Sequence, residues 1–109
     1  MASTYKVLGQ VAPAATTQTT LYTVPSSTSA VVSTLSICNQ GASSINVRVA
    51  VRPAGATLST EHYVVYDTAV SAYNTLFLTI GVSLATTDVV TVYTNIATAS
   101  FSLFGTEIQ

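Results

Sequence analysis

Charged side chains are scarce in this sequence. Lysine, arginine, aspartate and glutamate make up 6% of the 109 residues, and the net charge is −1, whereas an ordinary soluble domain has roughly 25% charged residues. Binding to a phosphate backbone requires clustered lysine and arginine, so we expect neither nucleic acid nor an anionic membrane as a partner. Because few ionised groups favour self-association, we expect an oligomer or a larger particle. The alternative is a monomer kept soluble by its hydroxyl groups.

The sequence also lacks a long apolar run and has a single cysteine. No stretch approaches the roughly 20 apolar residues that cross a bilayer, and the opening Met-Ala-Ser-Thr-Tyr-Lys is followed by no hydrophobic signal core. We therefore expect no membrane span, no secretory signal and synthesis in the cytoplasm. Cys38 has no intrachain disulfide partner, and its place in a strand pattern predicts a small buried residue.

Groups suited to catalysis or metal binding are few. His62 is the single histidine, and a triad of a serine with His62 and Asp67 lacks any nucleophile-elbow motif around the serines. One histidine and one cysteine do not make a zinc site, and the four carboxylates do not have the spacing of a calcium loop. We predict no catalytic residue, no cofactor and no metal, and hence a protein that is not an enzyme.

Serine and threonine account for 32 of the 109 residues, and valine adds further β-branched side chains, which favour strands. The clearest strand pattern covers residues 30–51. Apolar and mostly polar residues alternate over positions 45–51, the period of a strand with one buried face. Earlier in the segment, Val31 shares one parity with Leu35, and turn residues including Gly41 separate the two runs. We predict an antiparallel hairpin, with Gly41 free to take a positive φ in its turn.

Short strand patterns recur along the rest of the chain, separated by turn residues about every 8 to 12 positions, which is typical of a sandwich or barrel. We predict an all-β protein with a single β-sandwich, jelly-roll-like, of seven or eight short antiparallel strands and no helix longer than one turn. Gly81 is expected to mark a bulge or bend. The sandwich would occupy residues 21–109.

Residues 1–20 differ from the remainder because they are mostly small or hydroxyl-bearing and show no amphipathic period beyond a short start. We predict an extended N-terminal arm that a neighbour orders. The alternative is a first edge strand followed by a linker. The candidate partner-binding residues are Tyr5, Val7, Leu8, Val11 and Pro13 in this segment, together with Tyr73 in a turn expected to be exposed.

Six tyrosines are present, and most of them fall in or near strand patterns. Their rings are suited to line a carbohydrate or protein contact, because aromatic residues are enriched at interfaces. The alternative is that they close the ends of the core with their hydroxyl groups in water. The exposed turn around Tyr73 favours the contact role for that residue.

Several short motifs, taken in order, carry a resemblance to known proteins. They include Thr20-Leu-Tyr-Thr-Val-Pro25, Ile37-Cys-Asn39, Asp88-Val-Val-Thr-Val-Tyr93 and Ser100-Phe-Ser-Leu-Phe-Gly105. In their order and spacing they resemble a family of small virion proteins of tailed bacteriophages, including cyanophages. The likeness extends over nearly the whole chain.

The resemblance implies a capsid decoration (cement) protein that sits as a homotrimer on the outer shell, with the major capsid protein as its partner and the virion as its location. It brings no catalytic residue. On this interpretation residues 1–20 reach across a capsid seam. The alternatives are a tail, baseplate or fibre protein, with structural, adaptor or host-contact roles, and a carbohydrate-binding module, which rests on fold alone.

Overall fold

A computed structural model describes residues 2–109 as two antiparallel sheets packed together. The helical segments within this range are two single 3-10 turns, at Pro53–Gly55 and Thr60–His62. The strands are β1 (Ser3–Val11), β2 (Thr19–Thr23), β3 (Ser29–Asn39), β4 (Ile45–Arg52), β5 (Tyr63–Val70), β6 (Thr75–Leu78), β7 (Val82–Leu84), β8 (Val89–Thr94) and β9 (Ala99–Ile108). The predicted all-β sandwich is confirmed, with nine strands rather than seven or eight.

The strand pairing is that of a jelly roll. β1 pairs with β9, β2 with β8, β3 with β6 and β7, and β4 with β5, as in one long hairpin folded over on itself. Contacts of β9 with β3 and of β8 with β4 then produce a five-stranded sheet (β1-β9-β3-β6, with β7 also on β3) and a four-stranded sheet (β2-β8-β4-β5). Gly81, with a φ of 54°, separates β6 from β7. When β6 and β7 count as one interrupted strand, eight strands remain, as in a jelly roll.

The core lies between the two sheets and follows from the alternation of side chains along the strands. In β9, Phe101 and Leu103 are buried, while Ser100 and Ser102 are partly exposed on the other face. In β4, Val47 and Val49 provide the facing layer from the other sheet. Burying a Val, Leu or Phe side chain contributes about 1.5–3 kcal/mol to the stability of the fold.

The hairpin predicted for residues 30–51 is wrong. β3 belongs to the five-stranded sheet and β4 to the four-stranded sheet, so the chain crosses between sheets over residues 40–44. Gly41 makes the crossing possible by close packing, because a Cβ there would lie 2.7 Å from Cγ2 of Thr98. The glycines with a positive φ are instead Gly55 and Gly81.

A bulge in β3 also reverses part of the predicted parity. The register against β9 shifts between Val32 and Thr34, so Val31 is exposed and Val32 is buried. Beyond the shift, Leu35 and Ile37 face the core as predicted. Cys38 is partly exposed rather than buried.

Most of the predicted N-terminal arm is an integral part of the sandwich. Ser3–Val11 pairs with β9 along its length, and Leu8 packs in the core, so the edge-strand alternative describes this segment. Met1 lies outside the described residues. The strand pattern is obscured because outward positions hold the apolar Tyr5 and Val7, and because a bulge between Val7 and Gly9 breaks the period.

Candidate functional site

The predicted partner-binding residues fall into different environments. Tyr5 is 85% exposed and Tyr73 is 75% exposed, and Val7 is also exposed. Leu8 and Pro13 are buried, and Leu8 packs in the core, so their side chains are not exposed to a partner in this structure. Val11 is half-buried against the core. Tyr5 and Tyr73 do not meet, because the Tyr73 turn bonds to Gly41 at the end of the sandwich away from the chain termini.

Tyr5 and Val7 belong to a larger surface on the outside of the five-stranded sheet. Register places Tyr5 beside Thr106 and Val7 beside Phe104, and Val31 lies on the other side of Thr106 from Tyr5. Phe77, on β6 of the same sheet, is 68% exposed. We call the outward side chains of Tyr5, Val7, Val31, Phe77 and Phe104 the apolar face.

Within residues 2–109, none of the charged side chains belongs to the apolar face, although Lys6 stands between Tyr5 and Val7 in β1. Arg48 pairs with Asp67 on the four-stranded sheet, and Lys6 bonds to the buried Glu107. The remaining three are associated with the loops around the two 3-10 turns; they are Arg52, Glu61 and Asp88. The apolar face is therefore surrounded mainly by serine and threonine.

A second surface lies on the outside of the four-stranded sheet and centres on Arg48. Its Nε donates to Oδ1 of Asp67 at 2.6 Å and its Nη2 donates to Oδ2 at 3.3 Å. The guanidinium carbon lies 4.4 Å from the ring centroid of Tyr66 and 4.6 Å from that of Tyr93. Tyr63 contacts Tyr66 edge to face, with centroids 4.9 Å apart. We call these five residues the tyrosine cluster.

A bulge in β5 brings the tyrosine cluster together. Val47 pairs with Thr68 and Val49 with Val65, so two residues of β5, Tyr66 and Asp67, lie opposite Arg48. Asp67 adopts a left-handed conformation with a φ of 49°, which places an extra residue in the strand. Because Tyr66 and Asp67 both lie opposite Arg48, its guanidinium binds the Asp67 carboxylate and also lies over the Tyr66 ring.

Strand alternation alone does not predict this cluster. Positions 63 and 66 would face opposite sides of a regular strand, yet a second register shift between Val49 and Ala50 allows Tyr63 to contact Tyr66. The sequence does show tyrosine recurring in strand patterns. It does not show where the bulges lie that bring the rings together.

Beside the tyrosine cluster lies an open groove with a volume of about 600 Å³. It is lined by the segment Leu58, Ser59 and Thr60 and by the rings of Tyr63 and Tyr66. A capping box fixes the segment, because the Ser59 amide donates to Nδ1 of His62 at 3.2 Å while the Ser59 side chain accepts from the His62 amide. Hydrogen bonds therefore hold the turn that forms one wall of the groove.

The hydrogen bonds of His62 and Asp67 bear on the candidate triad of a serine with these two residues. Nδ1 of His62 accepts from the Ser59 amide, and both oxygens of Asp67 accept from Arg48. His62 and Asp67 are thus held by different partners in this structure. Their contacts position the groove and the tyrosine cluster.

The charged groups beside the groove are the Arg48–Asp67 ion pair and Glu61. Hydrogen bonds from Arg48 lower the pKa of Asp67, and the same bonds raise the pKa of Arg48, so both remain ionised and compensate each other at neutral pH. Hydrogen bonds from its own backbone amide and from the Ser59 side chain lower the pKa of Glu61, in the turn beside the groove. The surroundings carry a slight net negative charge.

Within residues 2–109, no group of three or more His, Cys, Asp or Glu side chains is placed to hold a metal ion. The described part of the chain also has no helix with the length and apolar character needed to cross a membrane. Comparisons with protein-family models, with curated proteins and with solved structures find no match to this chain.

Proposed function

We propose that this chain is a structural protein of a tailed-bacteriophage virion, a decoration protein that covers the capsid shell. Its partners would be the major capsid protein and two further copies of itself in a homotrimer. The observation that carries the proposal is the apolar face, which exposes Tyr5, Phe77 and valine side chains on one sheet. The resemblance in sequence motifs to small phage virion proteins supports the same assignment.

The composition of the apolar face fits a protein interface. Interface centres are depleted in charge and enriched in aromatic side chains, and exposed apolar patches commonly mark contact sites. The apolar face has both properties, with two exposed aromatic rings, at Tyr5 and Phe77, and charges held elsewhere. A sheet face of this composition is suited to lie against another protein surface.

β1 gives the N-terminal segment a different role from that of a free arm. It lies at one edge of the five-stranded sheet, and it carries Tyr5 and Val7 on its outer side. An edge strand offers unpaired backbone groups to which a partner strand can be added. We place the contact to the capsid protein at this edge and on the adjoining apolar face.

The proposed mechanism is linkage between binding and assembly. A protein that binds the assembled shell, but not its separated subunits, stabilises the shell by mass action. It requires no chemical step. A compact sandwich with a preformed face loses little conformational entropy when it docks.

The decisive experiment combines copy number with reconstitution. Quantitative mass spectrometry of purified virions should give a copy number for this chain of the same order as the copy number of the major capsid protein. Purified chain should rebind shells that lack it, whereas the double variant Tyr5→Ser with Phe77→Ser should not, and Tyr73→Ser serves as the control. Full rebinding by the double variant would overturn the proposal.

A tail, baseplate or fibre location is the alternative, and the tyrosine cluster favours it because that surface is suited to host contact. A copy number of only a few per cent of the capsid protein would support this alternative. Light scattering of the isolated chain at micromolar concentration tests the trimer, since a monomeric mass would contradict it.

A further inference from the structure

The groove beside the tyrosine cluster has the properties of a ligand site. Its volume of about 600 Å³ falls in the range of roughly 300–1,000 Å³ that is common for small-molecule sites. It is open, so it can admit one unit of a longer chain. Its lining combines two aromatic rings, one leucine and the hydroxyl-bearing Ser59 and Thr60.

We propose that this groove binds a neutral glycan, with a pyranose ring stacked on Tyr66 or Tyr63. A pyranose presents a face of C–H groups that packs on an aromatic ring, while its hydroxyl groups require nearby donors and acceptors. The rings supply the platform, and the hydroxyl groups of Thr60 and the tyrosines supply the polar contacts. The proposal goes beyond the decoration role and does not depend on it.

Tyr66 is held in place although it is 58% exposed. Arg48 covers its ring at 4.4 Å, and the bidentate hydrogen bonds from Arg48 to Asp67 hold the guanidinium in place. Asp67 reaches Arg48 because its backbone takes the left-handed conformation at the bulge. Preorganisation of this kind reduces the entropy cost of binding.

Charge selects a neutral glycan over an acidic one. Arg48 is neutralised by Asp67, and Glu61 stands in the turn beside the groove. A uronic or sialic acid would find no uncompensated cation among the residues that line the groove. The same argument disfavours single-stranded nucleic acid, which needs cations along its backbone as well as aromatic stacking.

The angle between the rings disfavours a proline-rich peptide. Tyr63 and Tyr66 stand at 80° to each other, so they form one platform with a side wall. Extended proline helices dock in grooves lined by several aromatic rings. A single platform beside hydroxyl groups fits one sugar ring better than successive prolines.

The experiment uses the full chain and an array of immobilised neutral oligosaccharides of hexoses and N-acetylhexosamines. Oligosaccharides with uronic or sialic acid and an oligoproline peptide are the comparison probes. Wild type should bind neutral members, and Tyr66→Ala should lower that affinity about tenfold or more. Tyr73→Ala, which removes a tyrosine of similar exposure away from the groove, should bind as wild type does.

Two further variants separate contact from positioning. Tyr66→Phe keeps the ring and should keep most of the affinity. Arg48→Gln should weaken binding and change the near-ultraviolet circular dichroism of the tyrosines, because the ring loses its support. Absence of neutral-glycan binding by wild type, a preference for acidic glycans or oligoproline, or equal affinities of Tyr66→Ala and Tyr73→Ala would each overturn the proposal. The virion copy number is unaffected by these outcomes.

Discussion

The hydroxyl group of Tyr22 donates a 2.5 Å hydrogen bond to Oε2 of Glu107 and thereby joins the two sheets across the core. Glu107 is only 7% exposed, and its other oxygen accepts from Nζ of Lys6 at 3.3 Å. The hydrogen bond from Tyr22, followed by that from Lys6, holds the pKa of Glu107 below its ordinary value. Burial and the bond to Glu107 raise the pKa of Tyr22. These groups stabilise the fold within a defined range of pH.

Glu107→Gln is expected to reduce the acid sensitivity of the fold. Because the pKa of Glu107 is lower in the folded state, its contribution is present above the ordinary glutamate value of about 4.3 and is lost as pH falls through the folded value. The free energy of unfolding, measured in urea at several pH values between neutral and acid, should change less with pH for the variant. Glu61→Gln is the comparison variant: hydrogen bonds also lower the pKa of Glu61, but this side chain is exposed, so its effect on the pH dependence should be smaller. If Glu107→Gln and wild type showed the same pH dependence of the unfolding free energy, Glu107 would not be the source of the acid sensitivity.

Tyr22→Phe should destabilise the fold at neutral pH by about 1.5–3 kcal/mol, because it removes a buried hydrogen bond to a charged group. Because the pKa of Tyr22 is raised in the folded state, its stabilising contribution is fully present below about pH 10 and is lost as pH rises through the folded pKa. The variant should lack that alkaline decline. Its stability should also depend less on acid pH, because without the Tyr22 hydroxyl the pKa of Glu107 lies closer to its unfolded value. Equal stability of the variant and wild type would show that the bond contributes nothing.

How far the sequence predicts the fold depends on regular alternation. Where alternation is regular, as at Val47 and Val49 or at Phe101 and Leu103, the buried face follows directly from the sequence. Where a bulge intervenes, as beside Val32, the assignment of faces fails. An apolar residue on an outward face, such as Tyr5, also obscures the pattern, because it gives the exposed side of the strand the apolar character of a buried side.

The tyrosine cluster and the Glu107 network were beyond sequence reasoning for a different reason. Each brings together residues from separate strands whose register is set by bulges and by sheet order. Tyr22 and Glu107 are 85 positions apart, and nothing local in either segment indicates the other. The sequence predicts a jelly-roll-like sandwich but not its strand order, and the contacts of individual polar side chains depend on that order.

Asn39→Ala is expected to be among the most destabilising polar substitutions in the described chain. The Asn39 side chain is buried and donates to the carbonyl groups of Ser43, Val70 and Ser71, while Oδ1 accepts from Gly41 and Thr98. These bonds hold three loops at one end of the sandwich. Their removal leaves several groups without partners, at a cost of about 3 kcal/mol or more. The measurement is the free energy of unfolding in urea.

Asn74→Ala is the control for Asn39→Ala, because its side chain is exposed and accepts from the adjacent Thr75 amide. It should cost less than about 1 kcal/mol. Similar losses in the two variants would mean that the Asn39 network does not organise the loops.

Deletion of residues 2–11 is expected to abolish cooperative folding rather than to remove a detachable arm. The deletion takes Leu8 from the core, breaks the bond between Lys6 and Glu107, and leaves one edge of β9 without its partner strand. Leu8 burial alone is worth about 1.5–3 kcal/mol, against a total stability of about 5–15 kcal/mol for a typical domain. The truncated chain should therefore bind a hydrophobic dye and show no cooperative thermal transition.

The paired variant Tyr5→Ser with Val7→Ser keeps β1 and should unfold cooperatively. This control separates the folding role of the strand from the proposed docking role of its outer side chains. A truncated chain that unfolds cooperatively would instead show that β1 is dispensable to the sandwich.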